Sequence, residues 1–132
     1  MRVGLLEDDE AIQEMLLLVL QDEGYVATNY QDAEECIETL TKSAQDTSAP
    51  LPIDLMIVDW RLSGTMSGTE VIQQLRSQPR LDSLPIILTT AATFSDTTVL
   101  QNFHVSLLEK PFSVDEMTAL VKQLIQPHST TP

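Results

Sequence analysis

The sequence predicts an α/β fold, a three-layer, doubly wound (βα)5 sandwich with a five-stranded parallel sheet between its helices. Three observations carry that expectation. Short apolar runs alternate with longer stretches of helical periodicity along the chain. The 132 residues suit one domain, with no internal repeat or low-complexity segment. The third apolar run, Ile53-Asp54-Leu55-Met56-Ile57-Val58, is apolar enough to be buried on both faces, as a central parallel strand must be.

The elements follow in order. Residues 3–6 form a compact apolar strand that stops abruptly at Glu7-Asp8-Asp9-Glu10. Ile12, Met15, Leu16, Val19 and Leu20 then fall on one face of a helix whose first turn takes Asp9 and Glu10, acids favoured by the helix dipole. Gly24 stops it, because the residue past a helix end often adopts positive φ. Residues 25–30 read as a second strand. Asp32 caps a second helix with Ala33, Cys36, Ile37 and Leu40 on its stripe, and the polar, proline-containing stretch 43–52 is a loop. The third strand ends in Asp59. A turn over 63–68 leads to a helix carrying Val71, Ile72 and Leu75. Pro79 and Pro85 bracket a connection into the fourth strand, 86–89. A fourth helix over 96–103 contains the weak helix formers Thr97, Thr98 and Val99 and is expected to be short or mobile. The fifth strand, 105–108, leads to Glu109-Lys110-Pro111. Ser113 and Glu116 form a capping box for the last helix, with Met117, Leu120, Val121 and Leu124 inward, and Pro127 closes it.

Composition excludes several classes. With 20 Asp and Glu against 7 Lys and Arg, the formal charge is −13. Phosphate-rich nucleic acid and anionic lipid would both be repelled. No apolar run approaches the ~20 residues that cross a bilayer, and no signal peptide pattern opens the chain. A cytoplasmic domain whose partners are cations or basic protein surfaces is expected. Cys36 is the one cysteine and lies on an apolar stripe, so it reads as core rather than as a redox or metal-binding thiol. His104 and His128 read as surface residues, and Trp60 as a partly exposed neighbour of Asp59.

Ligands of parallel sheets sit beyond the carboxyl ends of the strands. There the sequence places Glu7-Asp8, Asp59, Thr90 and Lys110. Three converging carboxylates raise one another's pKa unless a counter-charge intervenes, and a hard divalent cation such as Mg²⁺ supplies one. A Thr hydroxyl and a Lys ammonium suit the remaining oxygens of a phosphoryl group. Thr89 rivals Thr90 by one residue, and alternation allows only one of them to face the pocket.

The acidic pair Glu7-Asp8, Asp59 in Asp-Leu-Met-Ile-Val-Asp, Thr90 in Pro-Ile-Ile-Leu-Thr-Thr-Ala and Lys110 in Lys-Pro-Phe together resemble the receiver domain of two-component response regulators, a chemotaxis-regulator-like unit. The likeness runs from residue 2 to about 126. It implies a receiver domain over 1–126 with flavodoxin-like strand order 2-1-3-4-5, and 127–132 as a polar tail or the start of a linker. It also implies phosphoryl transfer from a histidine kinase or histidine phosphotransfer protein onto Asp59. Asp8 and Asp59 would bind Mg²⁺ directly (with Mn²⁺ as a substitute), together with the backbone carbonyl of Arg61, and Glu7 would bind it through water. Lys110 would pair with Asp59 and then with the phosphoryl oxygens, and spacing from Pro85 selects Thr90 as the hydroxyl that shifts. The Lys110–Pro111 bond would be cis. The surface of the fourth helix, fifth strand and fifth helix would then change for an output partner, with no enzymatic role beyond self-phosphorylation and slow autodephosphorylation.

The pattern departs from the family at three places. Leu107 stands where the family has the aromatic that rotates with the threonine. The stretch from Thr90 to Lys110 is short, and Ser63 replaces the usual proline in a loop one residue longer. Arg61 and Ala92 occupy positions that tune hydrolysis in the family, and Leu18 either overfills the stripe of the first helix or joins a docking face. One alternative is therefore a receiver-like scaffold whose switching is impaired by Leu107. Another is a haloacid-dehalogenase-like phosphohydrolase, but that needs Asp-x-Asp and Thr after the first strand, where this chain has Glu7-Asp8-Asp9-Glu10. A flavodoxin needs a phosphate loop there, and four acids would repel it.

Overall fold

Two apolar faces of one sheet organise the chain. A computed structural model describes residues 2–46, 48, 50–62, 66–91 and 103–125. Its elements are β1 (Arg2–Leu6), α1 (Glu10–Asp22), β2 (Val26–Asn29), α2 (Ala33–Gln45), β3 (Leu55–Asp59), α3 (Gly68–Arg76), a 3-10 turn (Pro79–Leu81), β4 (Ile86–Ala91), β5 (Ser106–Lys110) and α4 (Val114–Ile125). The five strands are all parallel, in the order β2-β1-β3-β4-β5. The fold is thus the doubly wound one expected. The helix expected over 96–103 lies outside the described residues apart from Phe103, as do Ser63, Ala92, Pro127 and His128.

Alternation along the strands sorts their side chains into two cores. Leu6, Met56, Val58, Ile86 and Leu88 pack against Cys36 and Leu40 of α2 and Val71, Ile72 and Leu75 of α3. Val3, Leu5, Leu55, Ile57, Ile87 and Leu108 pack on the other face against Leu16 and Leu20 of α1 and Met117 and Val121 of α4. Every residue of β3 is buried, because helices cover both of its faces. β2, at the sheet edge, alternates between exposed and half-buried residues.

Side-chain caps set the helix starts. Asp9 Oδ1 accepts the N–H groups of Ala11 and Ile12, and Asp32 Oδ1 accepts that of Glu35. Ser113 and Glu116 exchange reciprocal hydrogen bonds as expected. The same box, Ser67 with Glu70, opens α3, inside the stretch read from sequence only as a turn. Gly24 has φ +89°, directly after the end of α1.

Several boundaries differ from the expected ones: β2 is shorter by a residue at each end, and β4 runs two residues further, to Ala91. α2 continues to Gln45, into the stretch expected to be a loop, and the Arg80 guanidinium caps its end by donating to the carbonyls of Ser43 and Asp46. β3 begins at Leu55 rather than at residue 53, because the Asp54 side chain turns to accept the Arg2 N–H at 2.8 Å. β5 runs two residues further, to Lys110. Its approach is held by Arg76, whose guanidinium donates to the carbonyls of Leu81, Phe103 and His104.

Gly68 sits where the chain leaves β3 and returns. Its N–H donates to the Trp60 carbonyl at 2.9 Å, and a Cβ there would strike the Asp59 carbonyl oxygen and lie 2.8 Å from Trp60 Cα. Both obstacles are backbone, so the conflict cannot relax through a rotamer. Gly68→Ala is expected to lower unfolding free energy by ~2–4 kcal/mol in urea titration. A loss under ~0.5 kcal/mol would show that this close approach is not a constraint.

Candidate functional site

The polar residues of the site extend the face that packs on α1 and α4. Leu5, Ile57, Ile87 and Leu108 are on that face, and Glu7, Asp59, Thr89 and Lys110 each lie two residues further along the same four strands. Register relates them: Leu6 pairs with Val58, Asp59 with Thr89, and Ala91 with Lys110. One face of the sheet end therefore carries two carboxylates and a hydroxyl in register, with the ammonium two residues further along β5.

Lys110 crosses β4 to reach both acids. Its Nζ lies 3.2 Å from Glu7 Oε1 and 3.2 Å from Asp59 Oδ1. Only the contact with Asp59 also has hydrogen-bond geometry, so buried Glu7 Oε1 is paired by charge without a directed hydrogen bond. Both acids are buried, Glu7 4% exposed and Asp59 6%. The Asp9 N–H donates to Glu7 Oε2 at 3.2 Å, and the Gln13 side-chain amide donates to the Glu7 carbonyl at 3.1 Å. The Arg61 N–H returns to Asp59 Oδ1 at 3.3 Å.

One ammonium beside two buried carboxylates leaves an excess of negative charge. Burial, then a hydrogen bond with Asp59 and its charge, raise Glu7 to about 7 against the pull of the Asp9 N–H and Lys110. Burial alone would lower Lys110, but the charges of Glu7 and Asp59 outweigh it and hold the ammonium above its ordinary value.

The other candidate residues take these places. Asp8 is exposed at the rim, one residue beyond Glu7. The Arg61 guanidinium lies over the half-buried Trp60 ring, 5.6 Å from its centroid. Thr90 is buried, 1% exposed, on the opposite face from Asp59, with Ile86 and Leu88. Leu107, the register partner of Leu88, is half-buried on that same face. By alternation it is therefore Thr89 that shares Asp59's face. Sequence reasoning treated Thr89 as the rival of Thr90, and only the register of β4 against β3 decides which of the two shares Asp59's face. The Lys110–Pro111 bond is cis. Cys36 is fully buried in the core, where burial and Glu35 push its thiol up to about 12. His104 is exposed.

Among the described residues, no three His, Cys, Asp or Glu side chains are disposed as a preformed metal cage. The donors still suit a hard cation. Mg²⁺ keeps several waters and takes only one or two protein carboxylates. Here two carboxylates converge, with a third at the rim and one buried oxygen lacking a directed partner. No described helix is long and apolar enough to cross a membrane.

Comparison with known proteins agrees with the fold. The family model of the response regulator receiver domain matches residues 3–122. The phosphate regulon transcriptional regulatory protein PhoB of Rhizobium meliloti (strain 1021) is 32% identical over 127 residues, covering 95% of this chain and 52% of that protein. The chain spans about half the length of the PhoB proteins it matches. A putative response regulator from Chloroflexus aurantiacus J-10-fl superposes with TM-score 0.80 at 26% identity, covering 96% of this chain and 98% of that one. The receiver domain of sensor histidine kinase PA1611 from Pseudomonas aeruginosa PAO1 superposes with TM-score 0.75 at 24% identity, with the same coverage, and carries a magnesium ion in its active site cleft.

The raised Glu7 carboxyl predicts how stability varies with pH. Between its unfolded value of 4.5 and about 7, the native state binds more protons than the unfolded chain, so stability falls as pH rises through that window. Urea midpoints without divalent cations are expected to drop from pH 5 to pH 7.5 by the equivalent of ~2–3 kcal/mol. Glu7→Gln is expected to flatten most of that slope. A wild-type profile level across the window would contradict the burial and charge assigned to Glu7.

Proposed function

The chain belongs to the response regulator receiver domain family, and from that premise we propose that it is the phosphoacceptor of a two-component system. Asp59 takes a phosphoryl group from a histidine kinase or a histidine phosphotransfer protein. The observation that carries this reading is the buried Asp59 carboxylate at a central strand end, with the Lys110 ammonium 3.2 Å from it.

In the transfer, an Asp59 carboxylate oxygen attacks phosphorus, and the bond between phosphorus and the donor imidazole nitrogen breaks with its electron pair on that nitrogen. Asp59 becomes an aspartyl phosphate. Lys110 then turns to the phosphoryl oxygens, which carry more charge than the carboxylate they extend. Asp8, Asp59 and the backbone carbonyl of Arg61 would hold Mg²⁺, or Mn²⁺ in its place, with Glu7 acting through water. Bound there, the ion neutralises the charge of the phosphoryl oxygens. The magnesium in the active site cleft of the PA1611 receiver supports a magnesium site in this fold.

Thr90 is the switch residue: it stands in β4 on the face opposite Asp59, one residue before the strand's end, and its hydroxyl would reach the phosphoryl group past that end. Leu107 shares its face and fills the space the threonine leaves, so the surface around β5 and α4 responds. The scaffold reading has no observation of its own in its favour. Residues 1–126 act as the receiver, with 127–132 as a tail or the start of a linker to an output unit. The domain works in the cytoplasm as a switch, with self-phosphorylation and slow autodephosphorylation its only chemistry, and with no direct contact to nucleic acid or membrane.

Incubation with acetyl phosphate and Mg²⁺, read by intact-protein mass, tests this. Wild type is expected to gain one phosphoryl group, Asp59→Asn none, and Lys110→Met at least tenfold less per unit time, about 1.4 kcal/mol or more in barrier. Chelation with EDTA is expected to suppress labelling as strongly. A label retained by Asp59→Asn would overturn the assignment.

A further inference from the structure

Thr89 is fully buried, and among the described residues its Oγ1 has no hydrogen-bond partner. Its Cα is the cross-strand partner of Asp59's on β3, and the Trp60 N–H donates to its carbonyl at 2.8 Å, fixing that register. Both side chains stand on the face that packs on α1 and α4, and neighbouring strands lie about 4.8 Å apart. The hydroxyl is therefore within a side-chain rotation of the Asp59 carboxyl. A buried donor without an acceptor is costly, and such a group in a native site calls for a state in which it is used.

That state is supplied by the movement of Lys110. In the resting site, Asp59 Oδ1 accepts from Lys110 Nζ at 3.2 Å and from the Arg61 N–H at 3.3 Å. When the ammonium leaves for phosphoryl oxygens, the carboxyl group loses a donor while Thr89 has one to give. Resting on the reading of Asp59 as phosphoacceptor, we propose that the Thr89 hydroxyl replaces Lys110 on the Asp59 carboxyl oxygen in the phosphorylated state and shortens the lifetime of the aspartyl phosphate. In hydrolysis, a water oxygen bonds to phosphorus and the bond from phosphorus to the Asp59 oxygen breaks. Its electron pair returns to the carboxylate, the water's proton passes to solvent, and inorganic phosphate leaves. Negative charge thus develops on the carboxylate that Thr89 faces, and a donor fixed there lowers the barrier. The hydroxyl makes no such bond in the resting site, so it does not blunt the nucleophile.

The test is the decay of aspartyl phosphate after removal of acetyl phosphate, in Mg²⁺, followed by mass for wild type, Thr89→Val, Thr89→Ala and Thr89→Ser. Thr89→Val is expected to decay roughly three- to tenfold more slowly, with Thr89→Ser within about twofold of wild type. Unphosphorylated Thr89→Val is expected to melt about 1–3 °C higher than wild type, because the orphaned hydroxyl is gone. A purely structural role for Thr89 would not combine a longer phosphoryl lifetime with a more stable resting protein. If Thr89→Val does not fold, Thr89→Ala carries the same comparison. Equal or faster decay without the hydroxyl, or decay of Thr89→Ser as slow as that of Thr89→Val, would overturn the proposal alone. A wild type that takes up no phosphoryl group would overturn it together with the phosphoacceptor reading.

Discussion

A single ammonium serves two carboxylates that arrive on different strands, and much of the molecule exists to bring those three groups together. At about 4 Å and an effective dielectric near 20, each unit-charge pair is worth roughly 4 kcal/mol, so removing Lys110 would leave two buried carboxylates with only the backbone N–H groups of Asp9 and Arg61 to offset them. Glu7 and Asp59 meet because β1 and β3 are neighbours, and Lys110 reaches them by crossing β4. The sum of three charges is still negative, and burial together with Asp59 holds Glu7 near neutrality in pKa for that reason. The site is a charge imbalance waiting for a cation or a proton.

The surrounding fold keeps that imbalance from collapsing. Every residue of β3 is buried, and the backbone just past Asp59 is tied on two sides, by the Trp60 N–H to Thr89 and by the Gly68 N–H to Trp60. These bonds fix the backbone that presents the Asp59 carboxylate at the end of β3. The overall −13 charge is a separate matter. Most of the acids are exposed on helices and loops, where water screens them.

Much of this was legible in the sequence because it depends on local pattern. Alternating apolar runs set the five strands, and the acids that end the first and third runs named the rim. Asp9, Asp32, Ser113 and Glu116 announced helix starts through chemistry that acts within four residues. What stayed hidden depends on partners far along the chain. Arg80 lengthens α2 from 34 residues beyond Asp46, and Arg2 draws Asp54 out of β3 from 52 residues away. Thr89 ranks behind Thr90 in the sequence because spacing from Pro85 points to its neighbour, whereas the face of a strand residue is set by its cross-strand partners.

The shared ammonium is tested most directly by ¹³C NMR of the Glu7 side-chain carboxyl across pH 4 to 9, in wild type and in Lys110→Met without divalent cations. Glu7 is expected to titrate near 7 in wild type and higher still once the Lys110 charge is removed. Titration near 4.5 in wild type, or no change on loss of the ammonium, would mean that Glu7 is neither buried beside Asp59 nor paired with Lys110.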